Sequence, residues 1–226
     1  MFYDDYDNNI KYISDETNKI IDNIYNYQED IIKYIFYIFI IKIIYDISCQ
    51  ILVTKINIDK INVTFQDIRN KLKDGDLIFL SSNNSNGNFI NIWSDDIVSH
   101  VGIVFIINNR PFIFESENNI NEYDIISKKN GKNGTHMISL DSKLCNYNSK
   151  FGILVPIKNK ISFEKNKHIL NNFKNDNEYC TKLIADFLIK IGIFDNKKKS
   201  SSYSFKDLRK NDAFKKKIYF TINNKK

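Results

Sequence analysis

Apolar residues change their spacing partway along this chain. Before about residue 50 they recur at helical intervals, whereas from Leu77 onward they fall into short strand-length runs. Ser14-Asp15-Glu16-Thr17 reads as a helix start, and the pattern continues to about Ser48 with a break near Gln28-Glu29-Asp30. A β-rich piece, ILVTKINI (51–58), follows, and Thr64-Phe65-Gln66-Asp67 then caps a short helix to about Leu72. Lys73-Asp74-Gly75-Asp76 is a turn into the strand Leu77–Leu80, and SSNNSNGN (81–88) is a polar loop. The run 99–107 predicts a strand, Asn108-Asn109-Arg110-Pro111 a tight reversal, and Phe112–Ser116 the return strand. Residues 117–150 read as polar and irregular, with one strand near 135–140. Strands are expected at 151–157 and 218–222, and helices at 163–174, 179–192 and 204–213.

This division sets residues 1–62 apart as a helical N-terminal extension and 63–226 as the main domain. Ile, Asn, Lys and Tyr dominate the composition, so the lysine count says little by itself. The net charge of +6 is uneven: residues 1–30 hold eight acids against two lysines, and 197–226 hold eleven bases against two acids. No nucleic-acid motif accompanies the basic tail, which reads as a solvated surface rather than a DNA or RNA partner. Cys49, Cys145 and Cys180 form no paired framework, as expected in a reducing compartment, and no zinc-ligand spacing. The polar, acidic start is unlike a cleavable signal. The stretch 31–53 is strongly apolar but broken by Lys33, Lys42 and Asp46, which leaves two readings: a membrane helix, or a buried or membrane-surface helix.

Candidate chemistry centres on three residues. Cys180 opens an amphipathic helix whose apolar face is Leu183, Ile184, Phe187, Leu188 and Ile191. A helix N-terminus favours a thiolate, the nucleophile of cysteine hydrolases; a small core residue is the other reading. His100 begins a rigid apolar strand, where an imidazole serves either packing or proton transfer. Across the reversal at 108–111, residues near 100–103 face residues near 115–118, which brings Glu115 within reach of His100. A carboxylate ending a buried strand needs a partner, and one that orients an imidazole is the third member of a triad; an exposed strand end is the alternative.

GDLIFL (75–80), SHVGIV (99–104), PFIFES (111–116) and YCTKLI (179–184) together resemble the circularly permuted branch of the NlpC/P60 papain-like superfamily. The nearest resemblance is to the YiiX/YaeF-like group, which includes poxvirus relatives. It covers about residues 64–222, and the N-terminal 62 residues have no counterpart. The resemblance implies an α+β fold, with an antiparallel sheet or half-barrel packed on the helix carrying the cysteine. It implies Cys180 as nucleophile, His100 as general base and acid, and Glu115 as the orienting residue; no cofactor and no metal are expected from the residue spacing. Tyr179 and Thr181 would border the substrate, and the Cys180 backbone N–H would serve as oxyanion donor.

The expected activity is thiol-dependent hydrolysis of an amide or ester in a peptide, acylamide or lipid-like substrate, with membrane contact through 31–53. A lipid acyltransferase or acylhydrolase, or a non-enzymatic membrane- or virion-associated scaffold, are the alternatives. The implied location is cytoplasmic or viral, in host cytoplasm or virion, with membrane association left open. Asp76 is expected to cap a turn. His136 and Cys145 form a weaker rival pair without an orienting acid, and His168 is expected to be exposed.

Overall fold

A computed structural model describes residues 27–28, 30–44, 60–81, 96–149, 151–173 and 178–222. The expected helix start at 14–17, the β-rich piece at 51–58 and the loop from residue 82 lie outside the described residues. The chain divides into two compact units, Met1–Gln50 and Ile51–Lys226. In the first, residues 30–44 form helix α1. Its large apolar side chains, Tyr34, Phe36, Phe39 and Ile41 among them, are exposed. No described helix is long and apolar enough to cross a membrane.

The second unit is α+β. Its helices are α2 (Phe65–Arg69), α3 (Leu140–Asn146), α4 (Phe163–Asn171), α5 (Cys180–Lys190) and α6 (Phe205–Lys210). Its strands are β1 (Leu77–Leu80), β2 (His100–Ile107), β3 (Arg110–Asp124), β4 (Lys129–Ser139), β5 (Phe151–Val155) and β6 (Ile218–Thr221). They form one sheet in the order β4-β3-β2-β1-β5-β6, and all its strand pairs are antiparallel. LIFL is apolar at every position because β1 is central and covered on both faces.

Local chemistry explains most boundaries. Capping boxes start α2 (Thr64 with Asp67) and α6 (Ser204 with Asp207). Asn108 and Asn109 both have positive φ, 50° and 61°, the conformation of a two-residue hairpin turn whose twist matches its strands. Gly192 (φ 75°) closes α5 while Ile193 N–H bonds back to the Leu188 carbonyl. Asp76 caps its turn as expected: Oδ2 accepts from Lys73 N–H and Oδ1 from Ile157 N–H, both at 2.9 Å. Its neighbour Asp74 accepts from Ile106 N–H at 2.6 Å and Phe163 N–H at 3.0 Å, which ties β2 to α4.

Two cores flank the sheet. On one face Val101, Ile103, Phe105 and Phe114 pack with Leu183, Ile184, Phe187 and Leu188 of α5. On the other, Ile78, Val104, Ile113 and Ile138 pack with Phe65 and Ile68 of α2 and Leu140 and Leu144 of α3. Each fully buried Leu or Phe contributes about 1.5–3 kcal/mol, so these stripes fix which way every strand faces.

The expectation for residues 117–150 is corrected. β3 does not stop at Ser116 but runs to Asp124 and returns as β4, and α3 follows directly. The far half of this hairpin is stabilised by backbone pairing and by Asp124, not by apolar alternation. The Asp124 carboxylate accepts from Ile126 N–H (3.1 Å), Ser127 N–H (3.0 Å) and Met137 N–H (2.9 Å).

Candidate active site

Strand alternation places His100, Glu115 and His136 on the same sheet face as Val104, Ile113 and Ile138, beneath α3. This face would ordinarily be apolar. At the β4-β3-β2 end it instead carries ionisable groups, covered by Lys143 of α3 and its C-cap residue Tyr147.

Glu115 is the hub and is fully buried. Its Oε2 contacts Nε2 of His100 at 2.7 Å. Its Oε1 contacts Nζ of Lys143 at 2.8 Å and Nε2 of His136 at 3.1 Å. Lys143 also pairs with Glu117, whose side chain is partly exposed. The Tyr147 ring lies 5.8 Å from that of His100, and Lys143 sits 4.5 Å over the Tyr147 ring.

The charges support one another. Burial opposes ionisation of Glu115, but the Lys143 and His100 charges and the two imidazole hydrogen bonds hold its carboxyl well below its ordinary range. Burial likewise opposes the His100 cation. The Glu115 charge, its hydrogen bond to the ring and the Cys180 side chain together outweigh burial and the repulsion from Lys143, so the imidazole titrates well above its usual value. Lys143 is desolvated as well, yet Glu115 and Glu117 raise it and keep it an ammonium. Burial pushes the Tyr147 phenol up.

His100 and Glu115 are thus brought together as their spacing predicts. Cys180 is the first residue of α5, half-buried and packed against the core on the α5 face, and it lies near enough to His100 to raise the ring's titration. With Nε2 turned to Glu115, Nδ1 is the ring's remaining hydrogen-bonding atom. His100 opens β2 at the end of the sheet, where α5 begins. Ser116 points to the opposite face from Glu115, and its hydroxyl donates to the Glu178 carbonyl at 2.5 Å, which ties β3 to the segment entering α5. Arg209 of α6 pairs with buried Asp96 at 2.6 Å and steadies the approach to β2.

Tyr179 is the α5 N-cap, strongly exposed (83%), with no side-chain capping bond, and Thr181 is half-buried. The first N–H to bond within the helix is that of Leu183, to the Tyr179 carbonyl. The preceding N–H groups are therefore available to an anion at the sulfur.

The rival pair separates. His136 belongs to the Glu115 cluster, whereas Cys145 lies exposed on α3. Sequence reasoning missed Lys143, Tyr147 and Glu117 in this cluster. Lys143 and its C-cap neighbour Tyr147 fall in a segment that reads as polar and irregular, so no periodic signal marks them.

His100, Glu115 and Glu117 present ligand atoms within 4.8 Å of one another, a spacing suited to a cation. Lys143 Nζ contacts both carboxylates, so the positive charge such a set would attract is supplied by the protein.

No family model matches the chain, and no curated protein matches it. Among solved structures it is similar to the crystal structure of metalloprotein YiiX from Escherichia coli O157:H7. The identity is 14% and the TM-score 0.41, covering 65% of this chain and 87% of that one.

Proposed function

We propose that the chain is a thiol hydrolase that cleaves an amide or ester through Cys180, His100 and Glu115. The observation that carries this reading is the buried His100–Glu115 contact at 2.7 Å, on an imidazole whose titration Cys180 also raises. The Cys180 sulfur, having given its proton to His100, attacks the carbonyl carbon, and negative charge moves to the oxygen near the α5 N-terminus. His100 returns the proton to the departing amine or alcohol as the carbon–heteroatom bond breaks, leaving a thioester. Water then attacks the thioester, His100 takes its proton, and the acid leaves as the thiol re-forms. Glu115 stays ionised throughout and holds the ring. An acyl acceptor other than water would make the same machinery an acyltransferase. The exposed apolar side chains of α1 favour a lipid or lipid-attached substrate for either version.

The test is labelling with a thiol-directed electrophile, mapped by mass spectrometry. Cys180 should react faster than exposed Cys145, and His100→Ala should slow Cys180 by at least about tenfold, at the low end of general-base contributions, with the fold retained. Equal reactivity of Cys180 and Cys145, unchanged by His100→Ala, would leave a non-enzymatic scaffold as the better account.

A further inference from the structure

We propose that Lys143 is a positioning residue of this site. It grips Oε1 of Glu115, turns Oε2 toward His100, and through its own charge sets the pH at which His100 releases its proton. Its relevance to catalysis rests on the thiol-hydrolase reading; its effect on His100 does not.

The argument begins with saturation. An ionised carboxylate only accepts hydrogen bonds, and Glu115 is fully buried, so each oxygen needs donors from the protein. Lys143 and His136 converge on Oε1 at 2.8 and 3.1 Å, and Oε2 is left to His100 at 2.7 Å. The carboxylate cannot rotate without breaking contacts on both oxygens. Lys143 is itself fixed: it is only 2% exposed, held by Glu117 from one side and by the Tyr147 ring from another. Nδ1 of His136 has no hydrogen-bond partner among the described residues, so His136 serves this cluster through Nε2 alone.

The groups around His100 come from every neighbouring element. Glu115 and Glu117 belong to β3, His136 to β4, Lys143 to α3, Tyr147 to its C-cap, and Cys180 to α5. Glu115 favours the imidazolium and Lys143 opposes it. Lys143 therefore has two effects on catalysis. It guarantees an ionised orienting carboxylate, and it offsets part of that carboxylate's pull, so that His100 can still give up its proton to a leaving group.

The experiment follows the His100 ring by NMR across pH in the full chain, whose three histidines make assignment by substitution practical. In Lys143→Met, Glu115 keeps two imidazole partners and stays ionised. The opposing ammonium is gone, so the His100 midpoint should rise by about one pH unit, as expected for removing a like charge at close range. The alkaline limb of Cys180 labelling should rise with it, and Lys143→Arg should restore both. A folded Lys143→Met whose His100 midpoint stays put or falls overturns the proposal. Should Lys143→Met fail to fold, Lys143→Gln, which keeps a polar group in place of the ammonium and leaves Glu117 unchanged, must show the same rise. Failure of the hydrolase reading looks different: the His100 midpoint moves while Cys180 remains no more reactive than Cys145.

Discussion

Replacing Glu115 by Gln keeps the shape of the hub and removes its charge. Three groups lose their counter-charge or acceptor at once: His100, His136 and Lys143. Removing one partner of a buried ion pair costs about 3–5 kcal/mol. Lys143 retains Glu117, which is partly solvated, so the lower end applies, about 3 kcal/mol, or roughly 6–12 °C in Tm for a unit of this size. The pH dependence is the more telling signature. In the parent, the folded state holds the His100 proton more tightly than the unfolded chain does. His100 therefore contributes its full stability below about pH 6.5, its ordinary midpoint, and that contribution is lost as pH rises through the higher folded value. Glu115 works in the opposite sense: its contribution is present above its ordinary value of 4.5 and lost as pH falls through the depressed folded value. In Glu115→Gln, burial and Lys143 both oppose the His100 cation, so the folded ring prefers to be neutral. Its effect then reverses, and stability falls as pH drops below 6.5 at up to about 1.4 kcal/mol per pH unit. Denaturant unfolding of both proteins between pH 5 and 8.5 should show a cost that is largest near pH 5 and shrinks toward pH 8. A constant difference across that range would refute the coupling between Glu115 and His100.

Two further outcomes follow from other contacts. Ser116→Ala removes the bond to the Glu178 carbonyl; it should cost about 1 kcal/mol in unfolding measurements and slow Cys180 labelling, because the entry to α5 loses its tie to β3. The full chain should sediment with lipid vesicles, and replacing Phe36, Phe39 and Ile41 of α1 by Ser should reduce the bound fraction severalfold, since each buried side chain contributes about 1.5–3 kcal/mol of transfer free energy.

The β2–β3 hairpin was legible because its signals were local. Asn108-Asn109 sits between two apolar runs, and counting outward from that turn brings Glu115 to His100. The capped helices α2 and α6 and the glycine stop of α5 were legible for the same reason. The β3–β4 extension was not. Its outer half is polar, its register shifts between Glu117 and Tyr123, and what holds it is backbone pairing and Asp124. Neither leaves an alternating trace in the sequence. That misreading hid α3, and with it the reason the charged cluster is buried at all. His136 was visible as a histidine but assigned to the wrong partner, because only the β3–β4 register sets it opposite Glu115.

An open sheet has two outer strands, and each exposes backbone groups that could recruit a strand from another molecule. Here the two borders are protected differently. β6 is only four residues long, follows Lys215-Lys216-Lys217, and is bridged by Thr64 at Thr221. β4 is long, but it carries Lys129, Gly131 and Gly134, and its pairing with β3 is twice interrupted. Lysine charges and an uneven edge disfavour orderly stacking of copies. The same polar hairpin that obscured the fold in the sequence therefore also guards the protein against edge-to-edge aggregation.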